Sequence, residues 1–251
     1  VRERREAAID PAEFGTYVHA VLENSARRIR ELGGFHRVSL EETLEIAHGF
    51  SEEYAREHFS QIESERVTYL FRRHIQELDM VVRELWQELS EAAFAPAGLP
   101  PIPIPNGGMN AVLRGFIDRV DIWDSGASRY YRVVDYKTGK KDFDYCDVFN
   151  GVGLQMLLYM FALKSSGSDM LGDRPVAAGV QYFPARAPYL TSDGKLTAEE
   201  AEQERISKWK RKGLLLNDED VLQAMEPGDA PKRMCYSVKK DGTISGDLAD
   251  R

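Results

Sequence analysis

Asp118, Asp135 and Lys137 are two carboxylates and an amine set in runs of alternating residues, and their types and spacing suit one kind of chemistry. Alternation puts Phe116, Asp118, Val120 and Ile122 on one face of a strand, so Asp118 falls in the row expected to face the core. The same alternation puts Tyr131, Val133, Asp135 and Lys137 on one face of the next strand, with the acid and the lysine two residues apart at its end. A buried carboxylate needs a partner. Carboxylates on neighbouring strands are hard oxygen ligands suited to Mg²⁺, which usually takes one or two of them together with substrate phosphate oxygens. A lysine beside the attacking water can orient it or help deprotonate it, and can stabilise charge developing on the phosphate. That chemistry is hydrolytic phosphodiester cleavage. A D-x-K triplet alone is weak support for it, because most such triplets are exposed turn residues.

The elements around these residues read as follows. Asp10, Pro11 and Glu13 form an N-terminal helix signal ahead of Phe14, Tyr17, Val18, Val21 and Leu22, and Gly33 and Gly34 end that helix. Ser39 and Glu42 form the capping box of a second helix. A third runs from about Ile62 to Ala93, with Val67, Leu70, Leu78, Val81, Leu85 and Leu89 in helical register. The proline- and glycine-rich stretch Ala95 to Gly108 marks a boundary, after which the period changes to two. Val112 to Trp123 and Tyr130 to Tyr136 read as strands joined by a hairpin loop at Asp124 to Ser128, followed by a helix from Val152 to Leu163 and a strand from Ala177 to Phe183. This order gives an α/β core preceded by a helical segment. The expected domains are residues 1–95, helical, and residues 109–251, the core.

Several other side chains invite a reading. Leu154 to Leu163 is apolar around nearly its whole circumference, so the helix is expected to be buried, and the amide of Gln155 must then find partners, with Tyr159 one turn on. His19 lies on the first helix; alone, a histidine there is more often a core-edge or surface residue. Glu23 follows one turn later on the same face. The run Lys208, Trp209, Lys210, Arg211 and Lys212 mixes cations with an aromatic, as a DNA-binding segment would, yet fits better as the end of a helix capped at Thr197, acidic early and basic late, with Gly213 beyond it. Glu41, Glu42 and Glu45 read as a solvated face.

The segments GFIDRVD (Gly115 to Asp121), VVDYKTG (Val133 to Gly139) and QMLLY (Gln155 to Tyr159), in this order, resemble the RecB-type branch of the PD-(D/E)XK nucleases. Within that branch the resemblance is greatest to the C-terminal nuclease domain of AddB-type helicase-nuclease subunits. It begins at Val1 and takes in GTYVH (Gly15 to His19), QYFPARAP (Gln181 to Pro188) and Lys212 to Met225. The resemblance implies a restriction-endonuclease-like core, a central mixed sheet flanked by helices. It implies His19, Asp118 and Asp135 as metal ligands for Mg²⁺, with Mn²⁺ as the alternative, and Lys137 as the catalytic lysine. Gln155 and Tyr159 are implied to act near the metal or the DNA. The implied function is metal-dependent DNA cleavage in a helicase-nuclease complex that processes double-strand ends for recombinational repair. The implied partners are DNA, as a single strand or a duplex end, and an AddA-type subunit.

Bulk properties set the remaining expectations. The chain has 251 residues, 43% of them hydrophobic, enough for a real core, and no apolar run long enough to span a bilayer, so a cytoplasmic protein without membrane contact is expected. It opens on Val1 and reads as a piece of a longer protein. A net charge of −8 argues mildly against a non-specific DNA coat, although a bound cation would itself bring positive charge to a phosphate. AddB-type proteins hold an iron–sulfur cluster on four cysteines, one ahead of this region and three after it. Cys146 and Cys235 match none of those positions, so the cluster is expected only in a longer parent. No G-x-x-x-x-G-K-[ST] segment occurs, which places any ATP hydrolysis elsewhere. Two alternatives stay open: an inactive nuclease-fold scaffold, and a related stand-alone nuclease of the Cas type.

Overall fold

The structure, a computed structural model, describes residues 11–59, 65–97, 117–166, 171–172, 175–190 and 196–250. It divides into two compact units: residues up to Gln87 with Ala185–Ala187, and Glu88–Pro184 with Pro188 onward.

The first unit is helical. Helix α1 (Pro11–Glu31) buries Phe14, Tyr17, Val18, Val21 and Leu22, the stripe its spacing anticipates. Helix α2 (Leu40–Phe59) starts in the expected capping box, where Glu42 N donates to Ser39 Oγ and Ser39 N donates to Glu42 Oε2. Helix α3 (Glu65–Glu91) buries Leu78, Val81, Leu85 and Leu89. Glu41, Glu42 and Glu45 are solvated as expected. The anticipated cap at Asp10, the helix start at Ile62 and the side chains of Val67 and Leu70 lie outside the described residues.

The second unit takes the last turn of α3 and builds on it a six-stranded mixed sheet among the described residues. Its strands are β1 (Ala95–Ala97), β2 (Arg119–Asp124), β3 (Arg129–Lys137), β4 (Pro175–Pro184), β5 (Lys212–Leu216) and β8 (Leu248–Ala249), in the order β1-β2-β3-β4-β5-β8. β3 runs parallel to β4 and β5 to β8; the other pairs are antiparallel. A separate hairpin joins β6 (Tyr236–Val238) to β7 (Ile244–Gly246). Helices α4 (Tyr145–Phe149) and α5 (Gln155–Ser166) connect β3 to β4. Helix α6 (Ala198–Lys208) precedes β5, and α7 (Glu219–Met225) follows it. The sheet is therefore of the α/β kind anticipated, with the helical segment ahead of it. No helix among the described residues is long and apolar enough to cross a membrane.

Three expectations need correction. The stretch read as a boundary opens with β1, which pairs with β2 through Ala95 and Ile122; Pro96 is tolerated because β1 is an edge strand. Helix α5 is buried along one side only: Met156, Tyr159, Ala162 and Leu163 face the sheet, while Leu158 and Phe161 are exposed. Gly213 does not stop a helix. Helix α6 has the Thr197 capping box but ends at Trp209, and Gly213 belongs to β5, paired with Gln181.

At φ +152° a Cβ on Gly213 would stand 2.0 Å from the Val180 carbonyl oxygen, so only glycine lets β5 lie this close to β4. Gly213→Ala is expected to cost about 2 kcal/mol or more, from backbone strain and the clash together. An unchanged denaturant midpoint for this variant would show that the close approach is not required.

Candidate active site

The hairpin between β2 and β3 sets the site. Its loop is tied by Ser125 N to Ser128 O at 3.0 Å and by Gly126 N to Asp124 Oδ1 at 2.9 Å. The register this loop starts pairs Asp124 with Arg129 and ends at Arg119 with Val134, so the next step brings Asp118 level with Asp135. Asp118 stands just ahead of β2 rather than inside it, and the strand expected from Val112 lies outside the described residues before Ile117. Its Oδ2 accepts the Tyr136 N–H at 2.8 Å, so a side chain satisfies the backbone between Asp135 and Lys137. Asp135 is buried, 5% exposed, and Lys137 Nζ forms an ion pair with its Oδ2. Tyr182 on β4 is the direct neighbour of Asp135, and burial, then the Asp135 charge, push its phenol up. Two carboxylates and an ammonium thus meet at one end of adjacent strands.

The face below the site is held by ions. An alternating strand with one wet face would turn Arg119 and Asp121 to water; instead Arg119, Asp121, Arg132, Arg211 and Glu88 are all buried, with side chains at most 2% exposed. Glu88 Oε1 accepts from Arg119 Nη2 and Arg132 Nη2, each at 2.8 Å, and its Oε2 accepts from Arg211 Nε at 2.9 Å. Asp121 bridges Arg119 at 3.0 Å and Arg132 at 2.8 Å. Burial alone would push the Glu88 carboxyl up, but Arg119, Arg211 and Arg132 together outweigh it and hold the group well below the usual carboxylate range. The Arg119 guanidinium also lies 5.8 Å from the centre of the Tyr136 ring, and burial pushes that phenol up to about 12. Tyr136 thus has Arg119 beside its ring while its N–H meets Asp118.

The structure brings together Asp118, Asp135 and Lys137, and separately Gln155 with Tyr159, whose hydroxyl accepts from Gln155 Nε2 at 2.9 Å. Tyr159 packs in the apolar cluster of Val133, Met156 and Tyr182, on the Asp135 side of the sheet. Gln155 itself is exposed, so burial is not the reason it needs a partner. His19 lies half-buried on α1, in the other compact unit. Glu23 is exposed and paired with Arg27 at 2.8 Å. In the cationic run, Arg211 belongs to the ion network and Trp209 Nε1 donates to Pro184 O at 3.2 Å, so both are structural. Cys146 is exposed and Cys235 half-buried, and neither is in a disulfide.

Among the described residues of the second unit, no third His, Cys, Asp or Glu joins Asp118 and Asp135 in a metal-holding group. The two oxygen donors nonetheless fit Mg²⁺ or Mn²⁺, since such ions take one or two protein carboxylates and leave their other positions to water and phosphate. Glu88 and Tyr182 are not singled out as site residues by the sequence, where Glu88 shows only as a charge on the apolar stripe Val81, Leu85, Leu89; Lys212 stands in the cationic run read there as a helix end, and the structure places it in β5.

A profile of the PD-(D/E)XK nuclease superfamily matches residues 1–233. Among curated proteins, the chain is 32% identical to a subunit of the ATP-dependent helicase/deoxyribonuclease of Clostridium novyi, over 97% of this chain and 23% of that protein. It is 30% identical to the corresponding subunit from Bacillus subtilis, over 99% of this chain and 23% of that protein. For that of Clostridium acetobutylicum the identity is 29%, over 97% and 22%. The chain thus spans under a quarter of the length of these relatives. The motif strands, the mixed sheet and a match running through nearly the whole chain agree: the chain belongs to the PD-(D/E)XK nuclease superfamily.

Proposed function

We propose that this chain is a divalent-metal-dependent deoxyribonuclease unit of a helicase-nuclease complex, cutting DNA at double-strand ends for recombinational repair. The observation that carries it is the convergence of Asp118, Asp135 and Lys137 at one end of two paired strands. Asp118 and Asp135 would hold Mg²⁺ or Mn²⁺, with His19 a further ligand implied by the family pattern. Bound there, the cation supplies Lewis-acid polarisation of the scissile phosphate and offsets its negative charge. Lys137 lies against Asp135 and is placed to orient the attacking water and to stabilise charge gathering on the phosphate oxygens. Water oxygen bonds to phosphorus as the bond to one sugar oxygen breaks. Gln155 and Tyr159, linked to each other beside the Asp135 face, would position the substrate. The relatives' names, subunits of a helicase/deoxyribonuclease, support DNA as substrate and a helicase partner; an AddA-type subunit as that partner, and an iron–sulfur cluster in a longer parent, are what the family resemblance implies.

The test is cleavage of linear single- and double-stranded DNA in Mg²⁺, Mn²⁺ or EDTA. Cutting in either cation and none in EDTA is the expected result. Cutting that persists in EDTA would remove the metal from the reading. A folded chain that cuts in neither cation would favour the scaffold reading for this chain.

A further inference from the structure

The ladder that aligns Asp118 with Asp135 continues across the sheet. Asp135 pairs with Tyr182, and Tyr182 pairs with Lys212, the last pair of the β4/β5 ladder at the same end of the sheet. Directly paired residues share a face, and Tyr182 packs with Val133 and Tyr159 on the Asp135 side. Neighbouring Arg211 enters the ion network on the opposite face, so alternation also puts Lys212 on the site's face. Asp118, Asp135, Tyr182 and Lys212 thus form one row over four strands. Two strand spacings, about 10 Å, separate the backbones of Asp135 and Lys212.

Lys212 is not committed within the protein. Its side chain is 49% exposed, and its ion-pair partner Asp142 stands 3.9 Å away, itself half exposed and shared with Lys140 at 3.8 Å. Pairs so open and so long contribute little. A phosphate can replace Asp142 at small cost, whereas the buried Arg211 next door cannot turn outward.

We propose that Lys212 is a substrate-binding residue that holds a backbone phosphate of the DNA near the one being cut, with Asp142 as its competing internal partner. The inference rests on the nuclease reading for the location of the cut, but the contact itself is read by binding alone. In the full chain, binding to linear DNA is measured in EDTA as a function of salt, and cleavage in Mg²⁺ as kcat and KM. Lys212→Ala is expected to weaken binding and raise KM on the order of five-fold with kcat retained, and to flatten the log–log salt slope by about 0.9 on duplex or 0.7 on single strands. Asp142→Asn is expected to act in the opposite direction, tightening binding. Lys240→Ala, on the exposed β6–β7 turn, controls for loss of a positive charge in general. An unchanged salt slope for Lys212→Ala, or an equal change for Lys240→Ala, overturns the proposal. If the wild-type chain binds DNA with the expected Lys212 dependence yet does not cut, the nuclease reading fails and the phosphate contact stands.

Discussion

Replacing Glu88 by alanine is expected to destabilise the second unit by roughly 3–5 kcal/mol, the usual cost of removing one partner from a buried ion pair. Three guanidinium groups would lose their shared partner, with Asp121 left to pair Arg119 and Arg132, in a site where every side chain is at most 2% exposed. Against a typical stability of about 5–15 kcal/mol, that loss should move the denaturant midpoint far enough to read at once. Arg129→Ala, which breaks the exposed pair with Asp124, should stay within about 1 kcal/mol. A Glu88→Ala loss no larger than that of Arg129→Ala would mean the network is not what holds the strands. Acid gives a second reading. The folded Glu88 carboxyl titrates below its ordinary value of 4.5, so its ionised form contributes stability in full above that value. The contribution drains away as pH falls below it, and Glu88→Gln should lose that part of the acid limb.

Much of the site is legible because it is local. Asp135 and Lys137 share a face by simple alternation. Asp118 faces Asp135 because a hairpin loop dictates register, and the loop signal at Asp124 to Ser128 is strong. What stayed hidden depends on long-range pairing. Nothing in Lys212 or its neighbours says that β5 lies beside β4, so the row through Tyr182 cannot be written from sequence. Periodicity ranks residues by polarity and so gives Arg119 and Asp121 to solvent. Their burial follows only once Glu88, 31 residues before Arg119, is seen to arrive on the same face. The misjudged burial of α5 has a related cause: an apolar circumference predicts burial all round, yet a helix laid on one face of a sheet has only one side to cover.

Asp135→Ala is expected to abolish cation-dependent cleavage while the chain keeps its fold. Asp135 is the more buried of the two site carboxylates, and it would link the proposed ion-holding and water-orienting roles because Lys137 Nζ rests on its Oδ2. Its loss removes one of two oxygen donors and frees Lys137 from the acid that places it. Lys137→Met separates these roles: it leaves both carboxylates and should lower the rate by about 10²–10⁴-fold, the range for a positioned proton-transfer or charge-stabilising group, with DNA affinity nearly unchanged. Lys137→Arg should rescue little, since a planar fork cannot replace a compact ammonium in this space. Raising Mn²⁺ is expected to recover neither Lys137 variant, because the proposed metal donors are intact in both. Cleavage that survives in Asp135→Ala at wild-type rate would place the chemistry elsewhere in the chain. Recovery of Lys137→Met by excess cation would instead move the lysine from the reacting water to the metal's surroundings.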